Sequence, residues 1–411
     1  MRPRLLLIAT MLLFWVPGFS QTDTQKLSYS VQGVVTDGES GRALESVMVT
    51  IPGTNIATAT NADGKFVIKS SDPFTQVQVY YLGYKTVVRE VSDGATLKIR
   101  MTPVPFSLEG ARIISGNPKE IIRAAIDQIP NNYSNTPELL ECFYRETIRK
   151  RNRYTYISEA VARIYKSEYG PSGGLWKDRT ALEKSRVLLS QKRTDTLSVK
   201  VQGGPAQAAY LDVVKNHDIL LCEEELSHYI FEMDLPTYIN GRLQFVITFK
   251  PGPKPSEHAL YSGTLYIDNE KLFFTRIELS LDMSDIAKAT RRMVVRKPLS
   301  LRLVPKEMSI VENFSYSDGK ARMSYFRTTL VFNCDWKKRL FATSYTAINE
   351  LVVTGLRTPA TPIAKSEAFR TSDILSDKAS EFMDPDFWAD YNIIEPSESL
   401  EHAVNRLRKG R

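Results

Sequence analysis

Short β-prone runs alternate with tight-turn sequences from Val31 to Met101, and this spacing constrains the fold more than any other feature of the chain. The turns carry glycine, asparagine, aspartate and proline, the residues that favour a reversal of the backbone. They fall at Asp37-Gly38, Pro52-Gly53, Asn61-Ala62-Asp63-Gly64 and Asp72-Pro73. Turn signals that recur about every ten residues between short strands are typical of an antiparallel β-sandwich. We therefore predict a sandwich domain over residues 31–102.

Two of these turns have a stereochemical requirement. Gly53 and Gly64 stand where the chain reverses tightly or takes a positive φ, which a Cβ atom resists. Asn61 and Asp63 are expected to cap backbone amides in an Asx-type turn. A calcium loop is the alternative, because the two side chains alternate as oxygen donors do in an EF-hand. Ala59 would occupy its first ligand position, so the turn is predicted to be structural.

The stretch VQGVVTDGESGRALESVMVTIPGTNIATATNADGKFVI resembles the carboxypeptidase-like regulatory domain, a transthyretin-like sandwich of seven strands that is common in exported proteins of Bacteroidota. A motif of turn and core residues carries the resemblance. Its members are Gly33, Asp37, Gly53, Asn61, Asp63, Gly64 and Phe66, together with Gly41, Leu44, Val47, Val49, Thr54 and Thr60. The resemblance covers under a fifth of the chain and implies a docking or spacing module.

The first 20 residues differ from everything after them. Two arginines precede the apolar run LLLIATMLLFWV, and a proline followed by Gly18 and Ser20 completes the pattern of a secretory signal peptide. We predict cleavage before Gln21, export from the cytoplasm and a disordered mature N-terminus up to residue 30. A retained membrane anchor is the alternative, although the run is short for crossing a bilayer.

Residues 103–117 read as a proline-containing linker, and residues 118–356 as an antiparallel sheet domain. An amphipathic helix is expected from Asn117 to Ile129. The run LFFTRIELSLD alternates apolar and polar side chains, which indicates strands with one apolar face. Such a face needs a cover, and inserted helices over residues 203–236 are predicted to supply it.

The second domain, in its stretch GTLYIDNEKLFFTRIEL, is similar to the curved half-barrel of periplasmic lipoprotein carriers. The fold class is therefore predicted as mainly β, with an α+β second domain. The motif FYRE and the ending FWADYNIIEPSESLEHAV resemble uncharacterised exported Bacteroidota proteins as whole chains.

Residues 357–411 are predicted to form a C-terminal tether and a final helix. Phe387, Trp388 and Tyr391 are expected to dock onto the body of the protein. Ser397 is expected to cap the helix. The apolar side of that helix includes Leu400, Val404 and Leu407.

Composition excludes several classes of protein. The chain has 411 residues, 42% of them hydrophobic and 25% charged, with a net charge of +7, which is ordinary for globular domains. The charges are interspersed, so no nucleic-acid partner is predicted. The three cysteines, Cys142, Cys222 and Cys334, are too far apart in sequence for a metal knuckle or a redox pair. They are expected to be buried and inert, although export would permit one disulfide.

The residues of a zinc carboxypeptidase are missing from the sequence. Such an enzyme needs a His-x-x-Glu pair and a distant third ligand, because zinc takes two imidazoles and a carboxylate beside a bound water. No glutamate stands three residues after any histidine, and the histidines are His217, His228, His258 and His402. Ser172 in GPSGG fits the nucleophile-elbow pattern, but no convincing helix follows it. We predict no catalytic residue, metal site or cofactor.

The leading hypothesis is a non-enzymatic protein of the cell envelope, in the periplasm or facing the outer membrane. Its sandwich would be a docking or spacing module, and its sheet domain would bind a lipid, a glycan or a segment of an envelope protein. An exported hydrolase of the metallocarboxypeptidase type is one alternative, supported by the family name. A small outer-membrane barrel is another, opposed by charges at Arg276, Glu278 and Asp282.

Overall fold

The computed structural model describes residues 29–104, 116–170, 174, 177–190, 203–293, 301–336, 342–381 and 388–409. The predicted signal peptide, most of the predicted linker, Ser172 and Phe387 lie outside these residues. Within them the fold is mainly β: a sandwich of seven strands precedes a large antiparallel sheet that carries short helices. The predicted fold class is confirmed. No described helix is long and apolar enough to cross a membrane.

The sandwich consists of a three-stranded and a four-stranded sheet packed face to face. The strands are β1 Tyr29–Asp37, β2 Met48–Thr50, β3 Ala57–Ala59, β4 Lys65–Ser70, β5 Gln76–Tyr80, β6 Val87–Glu90 and β7 Thr96–Met101. One sheet has the order β4-β1-β7 and the other β3-β2-β5-β6. Strand β7 pairs parallel to β1, so the sandwich is not wholly antiparallel as expected. Alternate side chains of both sheets, among them Val35, Phe66 and Val79, form its core.

The second domain is built on one open sheet. Its strands are β8 Glu138–Lys150, β9 Arg153–Lys166, β10 Arg179–Leu189, β11 Tyr229–Ile239, β12 Arg242–Pro251, β13 Tyr261–Asp268, β14 Phe274–Leu281, β15 Leu301–Ser317, β16 Lys320–Trp336, β17 Thr343–Arg357 and β18 Ser380–Glu381. The order is β11-β12-β13-β14-β15-β16-β17-β8-β9-β10-β18. All neighbours run antiparallel except the short β18. Asp318 and Gly319, with φ of 51° and 75°, make the tight turn expected between β15 and β16.

Short helices cover one face of this sheet. They are α1 Pro118–Asp127, α2 Ile129–Asn132, α3 Gly204–Tyr210, α4 Glu223–Leu226 and α5 Ile286–Met293, with a 3-10 turn at His217–Ile219. The predicted cover over residues 203–236 is too long, because its last part belongs to edge strand β11. From Tyr229 onward the burial alternates with period two, which is the pattern of a strand.

The opposite face of the sheet carries the sandwich. Met48 and Tyr80 from the four-stranded sheet pack with Phe143 and Val352 from the large sheet in one hydrophobic cluster. Polar contacts surround this cluster, including a hydrogen bond of 2.9 Å between Ser46 Oγ and Tyr325 Oη. The two domains therefore share a buried interface.

The C-terminal residues run across this interface. After α6 Leu375–Lys378, residues 388–397 pass between the sandwich and the sheet and lead into α7 Glu398–Lys409. Ser397 Oγ accepts a hydrogen bond from Leu400 N at 3.3 Å, at the start of α7. Leu400 and Leu407 pack on strands β9 and β10.

All three cysteines are free thiols. Cys142 and Cys334 are buried, as expected, whereas Cys222 is half-buried.

We expect the two turn glycines of the sandwich to differ in their tolerance of alanine. A Cβ at Gly64 would lie 2.3 Å from the Val35 carbonyl oxygen, whereas a Cβ at Gly53 meets no atom within 4 Å. Both have φ near +74°, so strain alone costs each about 1 kcal/mol. Gly64→Ala should lower the free energy of unfolding by about 2 kcal/mol or more, and Gly53→Ala by about 1 kcal/mol. Urea unfolding measures both, and equal losses would contradict this account of Gly64.

Candidate functional site

A cleft of about 850 Å³ opens beside the first residues of β10. Helix α3 forms one wall and residues 365–371 form the other. Its lining combines the cations Arg179, Lys365 and Arg370 with the rings of Tyr210 and Phe369. Volumes of this size are typical of ligand sites in proteins.

Backbone contacts hold the two walls in place. Phe369 N donates to Thr180 O at 2.7 Å, which joins the second wall to β10 as an isolated bridge. Gly203 N donates to Asp373 O at 2.9 Å at the start of α3. A Cβ at Gly204 would lie 3.1 Å from the Phe369 ring, so glycine permits this close approach.

A cluster of buried ionisable groups lies behind the cleft, between the covering segment and the sheet. Lys166 on β9 pairs with Asp212, and both side chains are almost fully buried. Tyr169 Oη donates to the same Asp212 oxygen at 2.6 Å. Burial opposes the charge of Lys166, yet the pKa of Lys166 is raised because Asp212 outweighs that effect. The pair fixes the helical cover to the sheet.

The cluster continues to the floor of the cleft. Lys215 Nζ donates to Asp178 Oδ1 at 2.7 Å and to Ser167 O at 2.6 Å. Asp178 lines the cleft, and its buried Oδ2 has no hydrogen-bond partner among the described residues. The second ion pair thus anchors the start of β10 to the helical cover.

Glu312 on β15 completes the cluster. Its Oε2 accepts from Val213 N at 3.2 Å, and its buried Oε1 has no partner within the described ranges. Burial and the nearby Asp212 carboxylate raise the pKa of Glu312 well above its usual value. Both effects favour the neutral form of this carboxyl group beside the Lys166–Asp212 pair.

A second buried carboxyl group with a raised pKa lies on β8. Tyr144 Oη donates to Glu146 Oε2 at 3.1 Å, and the Glu146 side chain is fully buried. Burial raises the pKa of Glu146 to about 7, although the neighbouring Tyr156 and Tyr144 hydroxyls lower it.

A buried carboxylate on the opposite face of the sheet holds the C-terminal segment. Glu159 accepts two hydrogen bonds of 2.7 Å from arginine side chains. Arg145 Nε donates to its Oε1, and Arg186 Nε donates to its Oε2. Trp388 Nε1 also donates to Glu159 Oε2, at 3.1 Å. Burial opposes the charge of Glu159, but the two arginines outweigh it and lower the pKa of Glu159. Arg145 Nη2 further donates to Ile394 O at 2.7 Å.

The sandwich binds the same segment from the other side. Asn392 forms two hydrogen bonds with the backbone of Lys69, at 2.8 Å and 2.9 Å. The Lys69 ammonium donates to the carbonyls of residues 388, 389 and 391. Thr58 Oγ1 donates to Ile393 O at 2.9 Å. Residues 388–398 therefore tie the sandwich to the sheet.

Two residues of the predicted turn motif, Asn61 and Asp63, also contact the C-terminal segment. Asn61 Oδ1 accepts from the backbone N of Asp63 and Lys65, both at 2.9 Å, as in an Asx turn. Asn61 Nδ2 also donates to Pro396 O at 3.0 Å. Asp63 Oδ2 accepts from Glu398 N at 2.7 Å, which caps α7. The turn thus contacts the C-terminal segment.

The remaining motif residues lie in the sandwich, away from the cleft. Asp37 accepts hydrogen bonds from the backbone and side chain of Ser40 and from the Tyr84 hydroxyl, and these lower the pKa of Asp37 to about 2. Gly33 allows the Phe66 ring to approach, because a Cβ there would lie 2.7 Å from it. Gly53 is in an open turn with φ of 75°.

The four histidines considered as zinc ligands lie in separate parts of the described structure. His217 Nε2 contacts Val214 O at 3.0 Å, and His228 Nδ1 contacts Lys254 O at 3.4 Å. His258 is in an exposed loop and His402 is exposed on α7. Within the described ranges no three His, Cys, Asp or Glu residues could hold one metal ion.

The cleft and the ionic cluster behind it were not predicted from the sequence. One signal was present in β15, where Met308, Ile310, Glu312 and Phe314 share the inward face. A charged residue in an apolar alternation indicates a buried acid that needs a partner. The identity of that partner depends on pairing between distant segments.

Residues 31–109 match the family model described as CarboxypepD_reg-like domain. The predicted resemblance of the sandwich is confirmed for this part of the chain. A search of curated proteins found no match.

Several solved structures are similar to parts of this chain at low identity. A putative outer membrane lipoprotein-sorting protein domain from Vibrio parahaemolyticus is 12% identical over 61% of this chain and 96% of its own, with a TM-score of 0.25. A LolA superfamily protein from Nitrosomonas europaea is 11% identical over 58% and 94%, with a TM-score of 0.19. A putative membrane-associated protein from Bacteroides fragilis is 10% identical over 80% and 98%, with a TM-score of 0.15. TM-scores this low give these likenesses no bearing on function.

We expect Glu159→Gln to destabilise the protein strongly. The substitution leaves the guanidinium groups of Arg145 and Arg186 buried without a carboxylate, which costs roughly 3–5 kcal/mol in comparable sites. Glu398→Gln is the matched control, since its partner Lys65 is exposed and the pair lies at 3.2 Å on the surface. Urea unfolding compares the two variants. A loss for Glu159→Gln no larger than that of the control would contradict the role assigned to Glu159.

We expect Glu146 to make stability depend on pH. Its pKa rises from 4.5 to about 7 on folding, so its contribution is full below pH 4.5 and declines as the pH rises through 7. The difference corresponds to roughly 3 kcal/mol between pH 4.5 and pH 8. Glu146→Gln should remove that part of the decline. Urea unfolding at pH 5 and pH 8 measures it, and parallel profiles for the two proteins would refute the prediction.

Proposed function

We propose that this protein is a non-catalytic binding protein of the cell envelope, whose sheet domain binds its ligand in the cleft between α3 and residues 365–371. The N-terminal pattern of a signal peptide supports export, to the periplasm or the inner side of the outer membrane. The resemblance to exported Bacteroidota proteins supports the same location.

The cleft is the observation that carries this proposal. It has the volume of a ligand site, and its lining combines aromatic and cationic side chains, which is the usual composition of a binding pocket. Its walls are held by backbone hydrogen bonds to β10 and α3, so the site is preformed. A preformed cleft of mixed polarity favours binding over a purely structural role.

The sandwich is better suited to spacing than to capturing a partner on its four-stranded sheet. That sheet packs on the large sheet through Met48 and Tyr80, and residues 388–398 cover its border. Its outer face is therefore occupied within the same chain. We expect the sandwich to act as a spacer that is fixed to the large sheet and holds the cleft at a constant distance from whatever the sandwich contacts.

We expect a bulky residue in the cleft to abolish ligand retention. Ala368 lines the cleft, whereas the exposed Ala364 in the same segment does not. Full-length protein purified from its own envelope should carry a bound molecule in native mass spectrometry. Ala368→Trp should lose it because the indole fills the cleft, and Ala364→Trp should keep it.

Two results would contradict the proposal. The first is wild-type protein without any bound molecule, and the second is equal retention by both variants. Thermal unfolding of each variant confirms that it is folded. Stoichiometric zinc with hydrolysis of a peptide library would favour the hydrolase instead.

A further inference from the structure

We infer that the ligand of the cleft is an acidic glycan, a sugar chain carrying carboxylate or phosphate groups. This inference rests on the proposed function and identifies the chemical class of the ligand. Its basis is the combination of unneutralised cations, exposed aromatic surface and a solvent-open shape.

The cleft has an excess of positive charge. Asp178 supplies the only carboxylate among the described lining residues, and Lys215 neutralises it at 2.7 Å. Lys365 and Arg370 are exposed, and neither forms an ion pair with a carboxylate in the described part of the chain. Among the described residues, Arg179 donates to a carbonyl, Ile363 O, at 3.0 Å. Three cations on one concave surface favour an anion, and guanidinium groups bind carboxylate and phosphate with two hydrogen bonds.

The shape of the cleft favours a hydrated ligand over an acyl chain. Tyr210 is 48% exposed at the rim, Lys365 and Arg370 are also exposed, and Arg179 is half-buried. An acyl chain gains binding free energy only where water is excluded from it. A sugar chain keeps most of its hydroxyl groups in water and needs no enclosed tunnel.

Two exposed lining groups suit a sugar ring. Tyr210 presents an aromatic surface against which the apolar face of a sugar can pack. Thr371 is exposed and adds a hydroxyl group that can donate to or accept from a sugar hydroxyl. Phe369 is buried and supports the wall of the cleft from behind.

Isothermal titration of the full-length protein with hexagalacturonate tests this inference. The matched ligand is the same oligosaccharide with every carboxylate converted to its methyl ester, which removes the charge and keeps the sugar. We expect the acidic form to bind at least about tenfold more tightly, because a lost charge-assisted hydrogen bond costs about 1.5 kcal/mol or more. Raising the salt concentration should weaken binding of the acidic form alone.

Variants assign the binding to the cleft. The double variant Lys365→Gln, Arg370→Gln should weaken binding of hexagalacturonate at least about tenfold. Lys98→Gln removes an exposed cation on β7 of the sandwich and should leave the affinity unchanged. Tyr210→Ala should weaken both the acidic and the esterified ligand, since it removes packing surface and no charge.

Three results would overturn the inference. They are equal affinity for acidic and esterified oligosaccharide, equal loss in the double variant and Lys98→Gln, and no binding of hexagalacturonate. Vesicles of phosphatidylglycerol in phosphatidylcholine test the lipid alternative. These vesicles could bind the wild-type protein but not the double variant, while hexagalacturonate does not bind at all. In that case the acidic-glycan inference fails, and the cleft remains a binding site. If Ala368→Trp leaves the retained molecule in place, the proposed function fails as well.

Discussion

The buried carboxylate of Glu159 is the interaction on which the architecture depends. It is held by Arg145 from β8 and Arg186 from β10, so one charge crosslinks three adjacent strands. The indole of Trp388 completes its hydrogen bonds and anchors the C-terminal segment. Removing a charge from such a buried triad leaves the other charges unpaired, and for this reason the arrangement tolerates little change.

The C-terminal segment, which is anchored at Glu159, also binds the sandwich. Asn392, Ile393 and Pro396 make hydrogen bonds with backbone and side-chain groups of the sandwich. The apolar cluster around Phe143 and Tyr80 excludes water from the same interface. One face of the large sheet is thus occupied by the sandwich, and the other by the helical cover with its ionic cluster. The cleft lies where that cover meets β10.

Local turn chemistry explains why the sandwich could be predicted. Gly64 must adopt a positive φ, and Asn61 caps amides two and four residues away, so the signal lies within a few adjacent positions. The strands of the large sheet could also be predicted, because the alternation of apolar and polar side chains along each strand is a local pattern. Trp388 was expected to dock onto the body of the protein, and it packs there against Phe143 and donates to Glu159.

The remaining features depend on contacts between distant segments. Glu159 and Trp388 are 229 positions apart, and Lys166 and Asp212 are 46 positions apart. No local pattern shows which of 47 acidic residues meets which of 54 basic ones. The cleft was unforeseen for the same reason, since α3 and Phe369 approach only in the folded chain. The helical cover was predicted too long because the alternation of β11 follows directly on a helical turn.

Hydrogen exchange of the full-length protein tests the central claim that the cleft is the ligand-binding surface and the interface is structural. The protein purified from its own envelope is compared with the same protein after unfolding, removal of small molecules and refolding. The account predicts that stripping increases exchange in residues 204–210 and 365–371 and leaves residues 388–398 equally protected. Increased exchange at residues 388–398, with no change around the cleft, would contradict it.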